Sequence, residues 1–356
     1  MQIQACRWLA RALKFLLLGF CIPSGFTADT CQQATEALQQ RDLMGAEALL
    51  KLCLAASPAQ LKPYLDLCGL YQAQGREEDM VRTASEGLKY FPGERRFYLA
   101  VGNHAGRKAQ YDQAIEIFSQ AHQRWPDEAV FREGLSNAHL MLGMRLMDQK
   151  RNSEAEQHLR AAVKLSDSDV EAHLNLGRVL HTLNQSVEAL AEFDRVAALD
   201  PKTPLVHFHR GLVLGALGEL DESIASLSRE IDATPDYPPS YLLRGEMRMK
   251  KGDWTTALPD LDMAVKKMPD NPKAVYLRAR CLQRMGRTKD AEADFRATLT
   301  LDPSNPEPMN SLARLLWLTG RQEEATSLFH KAREINQATR TVQPGEIQFE
   351  SSTKQK

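Results

Sequence analysis

Small residues, with one methionine among them, stand at a fixed interval along this chain. Ala46, Met80, Ala114, Ala155, Ala189, Ser223, Ala257, Ala291 and Ala325 follow one another in steps of 34, with a single step of 41 before Ala155. A period of this length marks a repeat architecture. Twelve residues before each anchor stands another small residue (Ala34, Cys68, Gly102, Gly143, Gly177, Gly211, Gly245, Ala279, Ala313), as close helix approach requires. Four residues after most anchors comes bulk, in Leu50, Phe118, Leu159, Phe193, Leu227, Leu261, Phe295 and Phe329, one helical turn along the same face. Ala84 is the exception. Twelve residues after, Pro58, Pro92, Pro126, Pro201, Pro235, Pro269 and Pro303 end the block. Gly75, Gly218, Gly252, Gly286 and Gly320, five residues before their anchors, suit a tight turn. Each block therefore predicts a helix, a turn, a second helix and a stop.

Nine such blocks fill residues 29–337. Blocks such as SYLLRGEMRMKKGDWTTALPDLDMAVKKMPD carry an aromatic, a small residue, a glycine, Ala-x-x-x-large and a proline in register. In this the chain resembles the tetratricopeptide repeat (TPR) family. The resemblance implies an all-α fold, a right-handed α-solenoid whose first helices line a concave, peptide-holding groove. Asp167 and Gln337 replace the proline, and Met80 and Ser223 the anchor alanine. The seven extra residues before Gly143 predict a lengthened first helix in the fourth block, with an inserted loop as the alternative.

Charge adds little at the level of the whole chain. With 45 Lys+Arg against 46 Asp+Glu, no global field draws it to nucleic acid or anionic membrane. The N-terminus differs, since Arg7, Arg11 and Lys14 precede the apolar run 15–22 and Pro23-Ser24-Gly25. That order predicts a secretory signal over residues 1–28 and export, to a periplasm or the cell exterior if bacterial, or to a secretory lumen if eukaryotic. No membrane association is expected beyond that segment.

The sequence holds no nucleophile elbow, phosphate-binding glycine loop, H-E-x-x-H or C-x-x-C. A non-catalytic protein without cofactor or metal is expected. His207-x-His209 invites a zinc reading, but residues two apart on a helix point to nearly opposite sides. Cys31, Cys53, Cys68 and Cys281 follow the signal. Cys53 lies in a column that faces the next block, so Cys53–Cys68 is the expected disulfide in an exported protein. Two reduced core cysteines are the equal alternative, and Cys31–Cys53 is a further pairing.

The groove columns contain Arg178, Phe208, His209, Leu212, Leu242, Met249, Lys273, Tyr276, Arg280, Arg284, Arg314 and Trp317. In the last three blocks these columns hold Lys250, Lys273, Arg280, Arg284 and Arg314 against Glu246 and Glu307. The local positive excess points to a protein or peptide partner with acidic groups flanking apolar ones. Phe208, Tyr276 and Trp317 are the candidate anchors. A partner-binding scaffold is the first reading, and a chaperone-like adaptor for unfolded secretory clients the second. The tail 338–356 lacks a helical period.

Overall fold

The computed structural model describes residues 24–341, with side chains from 29 to 337. The basic and apolar segment expected to direct export lies outside them, apart from the few residues that open the first helix. The described residues form eighteen helices and no strand, the all-α solenoid architecture of stacked helix hairpins. The chain divides at Asp167 into two compact units.

The first unit holds four hairpins: α1 (Ser24–Gln39) with α2 (Leu43–Ala56), α3 (Leu61–Ala73) with α4 (Glu77–Tyr90), α5 (Arg95–Arg107) with α6 (Tyr111–Arg124), and α7 (Ala129–Asp148) with α8 (Asn152–Leu165). The second holds five: α9 (Val170–Thr182) with α10 (Ser186–Leu199), α11 (Val206–Leu217) with α12 (Leu220–Ala233), α13 (Pro238–Lys251) with α14 (Trp254–Lys267), α15 (Pro272–Arg284) with α16 (Thr288–Leu301), and α17 (Pro306–Leu318) with α18 (Gln322–Thr341). α18 runs four residues past the boundary read from the sequence.

The columns explain the hairpins. Every anchor alanine is fully buried, and Ser223, also buried, donates to the Gly211 carbonyl at 2.6 Å. At Gly177 a Cβ would lie 2.7 Å from the Phe193 ring, so only glycine lets the two helices meet there. The turn column is left-handed in every block. Gly75, Gly218, Gly252, Gly286 and Gly320 have positive φ, and so do Arg41, Ala109, Lys150 and Asn184 where glycine is missing.

α7 is a single 20-residue helix, so the seven extra residues lie within it. Its halves serve different neighbours. In the first, Gly134 presses the Phe118 ring of α6; in the second, Gly143 presses Leu159 of α8. Buried Ser136 donates to the Ala162 carbonyl of α8 at 3.0 Å.

α11 starts late, after Leu205 at φ 64 with no capping side chain of its own. Buried Glu230 from α12 substitutes, accepting from the Phe208 amide at 3.2 Å and from Thr234 Oγ1 at 2.7 Å. α9, α15 and α17 instead begin on capping residues of their own, Asp169, Asn271 and Asn305.

The expected Cys53–Cys68 disulfide does not form. Cys53 pairs with Cys31 across the first hairpin, at a Cα–Cα distance of 5.2 Å. The small-residue column turns Cys68 toward its own second helix, where its thiol donates to the Met80 carbonyl at 3.6 Å. Burial there pushes the Cys68 thiol up to about 11.

Candidate partner-binding face

The candidate residues all belong to the second unit, on first helices α9, α11, α13, α15 and α17. These helices contact one another in succession, which makes their outer faces one surface. At its start, exposed Arg178 donates to Asn175 Oδ1 at 3.0 Å. His209 stacks on Phe193, with ring centres 5.4 Å apart. Burial, then Arg178 and His181, push His209 down to about 4, so it is neutral at pH 7. Phe208 packs edge-on against Tyr237 at 5.3 Å. His207 lines a separate recess with Lys202, Pro204 and Glu230, so the two histidines of the His-x-His pair serve different surroundings.

Further along, Glu246 accepts from Lys273 at 2.8 Å and lies 3.6 Å from Lys250, which neutralises both lysines in part. Tyr276 donates to Glu307 at 2.9 Å and lies 3.1 Å from the Ser311 hydroxyl. It is therefore a tie between α15 and α17. The Arg280 guanidinium lies over the Tyr276 ring at 5.7 Å, and that of Arg284 over the Trp254 ring at 5.6 Å. Arg280, Arg284 and Arg314 are exposed, and among the described residues no carboxylate pairs with them. Trp317, one turn from Arg314 on α17, is 50 % exposed.

The arginines directed between helices behave differently. Arg244 reaches Asp260 at 2.7 and 2.9 Å, and Arg248 reaches it at 2.7 Å. Arg278 holds Asp294 at 2.7 and 2.8 Å and Asp262 at 3.3 Å. Arg210 pairs with Asp194. These pairs rivet second helices to the first helix between them.

A family profile for the tetratricopeptide repeat matches residues 140–204, 184–238, 242–306 and 282–338, more than half of the chain. This protein belongs to the tetratricopeptide repeat family. Among solved structures it is similar to that reported under the functional characterization of Pseudomonas aeruginosa pilF, at 17% identity and a TM-score of 0.51, covering 59% of this chain and 98% of that one. It is also similar to YrrB, described as a TPR protein with an unusual peptide-binding site (21% identity, TM-score 0.45, 50% and 92% covered). A third is MamA 41-end from Desulfovibrio magneticus RS-1 (18% identity, TM-score 0.46, 48% and 96% covered). At these identities the likeness is one of fold. No curated protein sequence matches.

Of the twelve groove residues read from the sequence, this tetratricopeptide repeat array buries Met249 and Tyr276 in its core and so withholds them from a partner. Leu242 packs partly against the same core, and Leu212 is half-buried. Arg178, Lys273, Arg280, Arg284, Arg314 and Trp317 stay at the surface. The division between paired and unpaired arginines was missed. Its signal was present, because Arg244 and Arg278 each have an aspartate sixteen residues on, at Asp260 and Asp294, while Arg280 and Arg314 do not.

Proposed function

We propose that this protein is a non-catalytic, exported scaffold that binds an acidic protein segment on the first-helix face of its last hairpins. One observation carries the reading. Arg280 and Arg284, one turn apart on α15, and Arg314, one turn from exposed Trp317 on α17, have no carboxylate partner among the described residues, while Arg244, Arg248, Arg278, Arg296 and Arg321 are all ion-paired. Like charges grouped without counterions repel, and a partner's carboxylates would relieve that repulsion. Trp317 supplies the apolar anchor that such a segment needs. Export rests on the basic, apolar and small-residue order at the N-terminus, with support from the Cys31–Cys53 pairing, which suits an oxidising compartment. The adaptor for unfolded clients is the lesser reading, because Met249 and Tyr276 are buried.

The test is association kinetics on the natural partner, isolated by crosslinking in envelope extracts. Arg280→Glu with Arg284→Glu should slow association and flatten its salt dependence, since exposed charges steer encounter. Trp317→Ala should speed dissociation, at a cost of about 2 kcal/mol for an anchor. Variants of unchanged helicity that bind with unchanged rates would place the site elsewhere. Suppression of client aggregation with no defined partner would favour the adaptor.

A further inference from the structure

The position seven residues after each anchor is buried in every block, and elsewhere it holds a residue no larger than valine, as at Ala121, Val196 and Ala264. The sixth block places Glu230 there, only 2 % exposed. Its carboxylate accepts from the Phe208 amide and from Thr234 Oγ1, and among the described residues no lysine or arginine pairs with it. Capping α11 needs only an acceptor, and the start of a helix offers about half a positive charge in return. A full charge out of water calls for a cation. The carboxylate also keeps lone pairs that these two hydrogen bonds leave free.

Those lone pairs lie at a recess of about 260 Å³ that Glu230 lines with His207 and Lys202. α11 begins at Val206 rather than at Pro204, the position that matches the other first helices. Thr203 stands where Asp169, Asn271 and Asn305 cap theirs, but its hydroxyl donates to Asp200 at 3.1 Å instead. Thr234 likewise donates its hydroxyl proton to Glu230, so both threonines present lone pairs. Burial, opposed in part by Glu230, pushes the His207 ring down from its ordinary value, so it is neutral and carries one acceptor nitrogen. Its Nδ1 is fully buried and has no hydrogen-bond partner among the described residues. Glu230, His207 Nδ1 and Thr234 Oγ1 thus offer three acceptors, and a primary ammonium carries three donors. Lys202 is exposed and pairs with neither Glu230 nor another described carboxylate. One recess therefore holds a carboxylate and an ammonium that do not reach each other, and the complement of such a pair is a zwitterion. Its volume falls below the roughly 300–1,000 Å³ of drug-sized ligand sites, and Pro201, Pro204 and Ala233 give it apolar walls.

We propose that this recess binds a free α-amino acid with a small aliphatic side chain, its ammonium on Glu230, His207 Nδ1 and Thr234 Oγ1 and its carboxylate on Lys202. The site belongs to α11, α12 and the loop before them, so it is independent of the partner face on α15 and α17.

The test uses the full chain with 15N-labelled histidine and follows the His207 ring signal, assigned through His207→Gln. l-Valine should shift that signal saturably. Isobutylamine, which keeps only the ammonium, and isovalerate, which keeps only the carboxylate, should each bind at least about tenfold more weakly, the loss expected for a charge-assisted contact. Glu230→Gln keeps an acceptor for the Phe208 amide and removes the charge, and it should weaken valine binding by a similar factor. Lys202→Met, at an exposed position, should do likewise, and it decides alone if Glu230→Gln loses helicity. Equal affinity for isobutylamine and valine would overturn the zwitterion. Unchanged affinity in a folded variant, or no saturable shift with any common l-amino acid, would overturn the site.

Discussion

Asp260, only 3 % exposed, is held by Arg244 through two hydrogen bonds at 2.7 and 2.9 Å, and Arg248 adds a third at 2.7 Å. Arg244 also donates to Ser228 of the preceding hairpin at 2.9 Å, so one guanidinium spans two second helices. Asp260→Ala leaves two partly buried guanidiniums without their counterion. It should lower stability by about 3 kcal/mol, within the range for breaking a buried pair from one side. Chemical denaturation measures this, with Asp236→Ala as the control, since the exposed Asp236–Lys267 pair should not register.

Ala109 occupies a left-handed turn position at φ 56, where its Cβ is strained. Ala109→Gly should raise stability by about 1 kcal/mol, and Gly252→Ala, at φ 86, should lower it by a similar amount. Opposite shifts in the thermal midpoint are the expected result. Equal signs would mean that the turn column does not set the hairpin.

Ala257 is fully buried where α13 and α14 cross. Ala257→Leu adds methylenes to a filled contact and should cost about 1–3 kcal/mol. Lys356→Leu, in the tail, should cost nothing measurable. Equal midpoints in urea for the two variants would refute the register.

Cys31 and Cys53 close a loop of sequence separation 22. Reduction should therefore destabilise the first hairpin by about 3 kcal/mol. The loss stays local, since each hairpin contacts only its neighbours. A reductant-dependent loss of helicity below the main transition is expected. It should vanish in Cys53→Ser and persist in Cys68→Ser.

Burial pushes both His209 and His139 from an ordinary 6.5 down to about 4. For His139 the neighbouring His158 ring, with a ring-nitrogen contact of 3.0 Å, contributes to that lowering after burial. The unfolded chain thus binds more protons between those values, and stability rises with pH across that window. Their contribution is complete above about pH 6.5 and is lost as pH falls toward 4. Denaturation midpoints should drop from pH 7.5 to pH 5, and His209→Gln should make that drop shallower. A pH-independent midpoint would contradict the buried, neutral state of the ring.

The sequence by itself determined the hairpin. Ala, Gly and Phe at fixed intervals mean that two helices cross closely, because the requirement is local and steric and a glycine under the Phe193 ring has no substitute. It also determined where each hairpin turns, although Ala109, Lys150 and Asn184 show that the backbone needs the left-handed turn even without glycine. Tertiary structure decided what depends on direction. A helix period does not say which neighbour a cysteine faces, so Cys53 went to Cys31 rather than to Cys68. Nor does it say whether a groove residue is offered or consumed. Tyr276 is spent on Glu307 and Ser311, and Lys273 on Glu246, while Arg280 and Arg314 have no carboxylate partner among the described residues. The physical reason is that ion pairs and hydrogen bonds form between residues on different helices, at distances that only the stacking of hairpins sets.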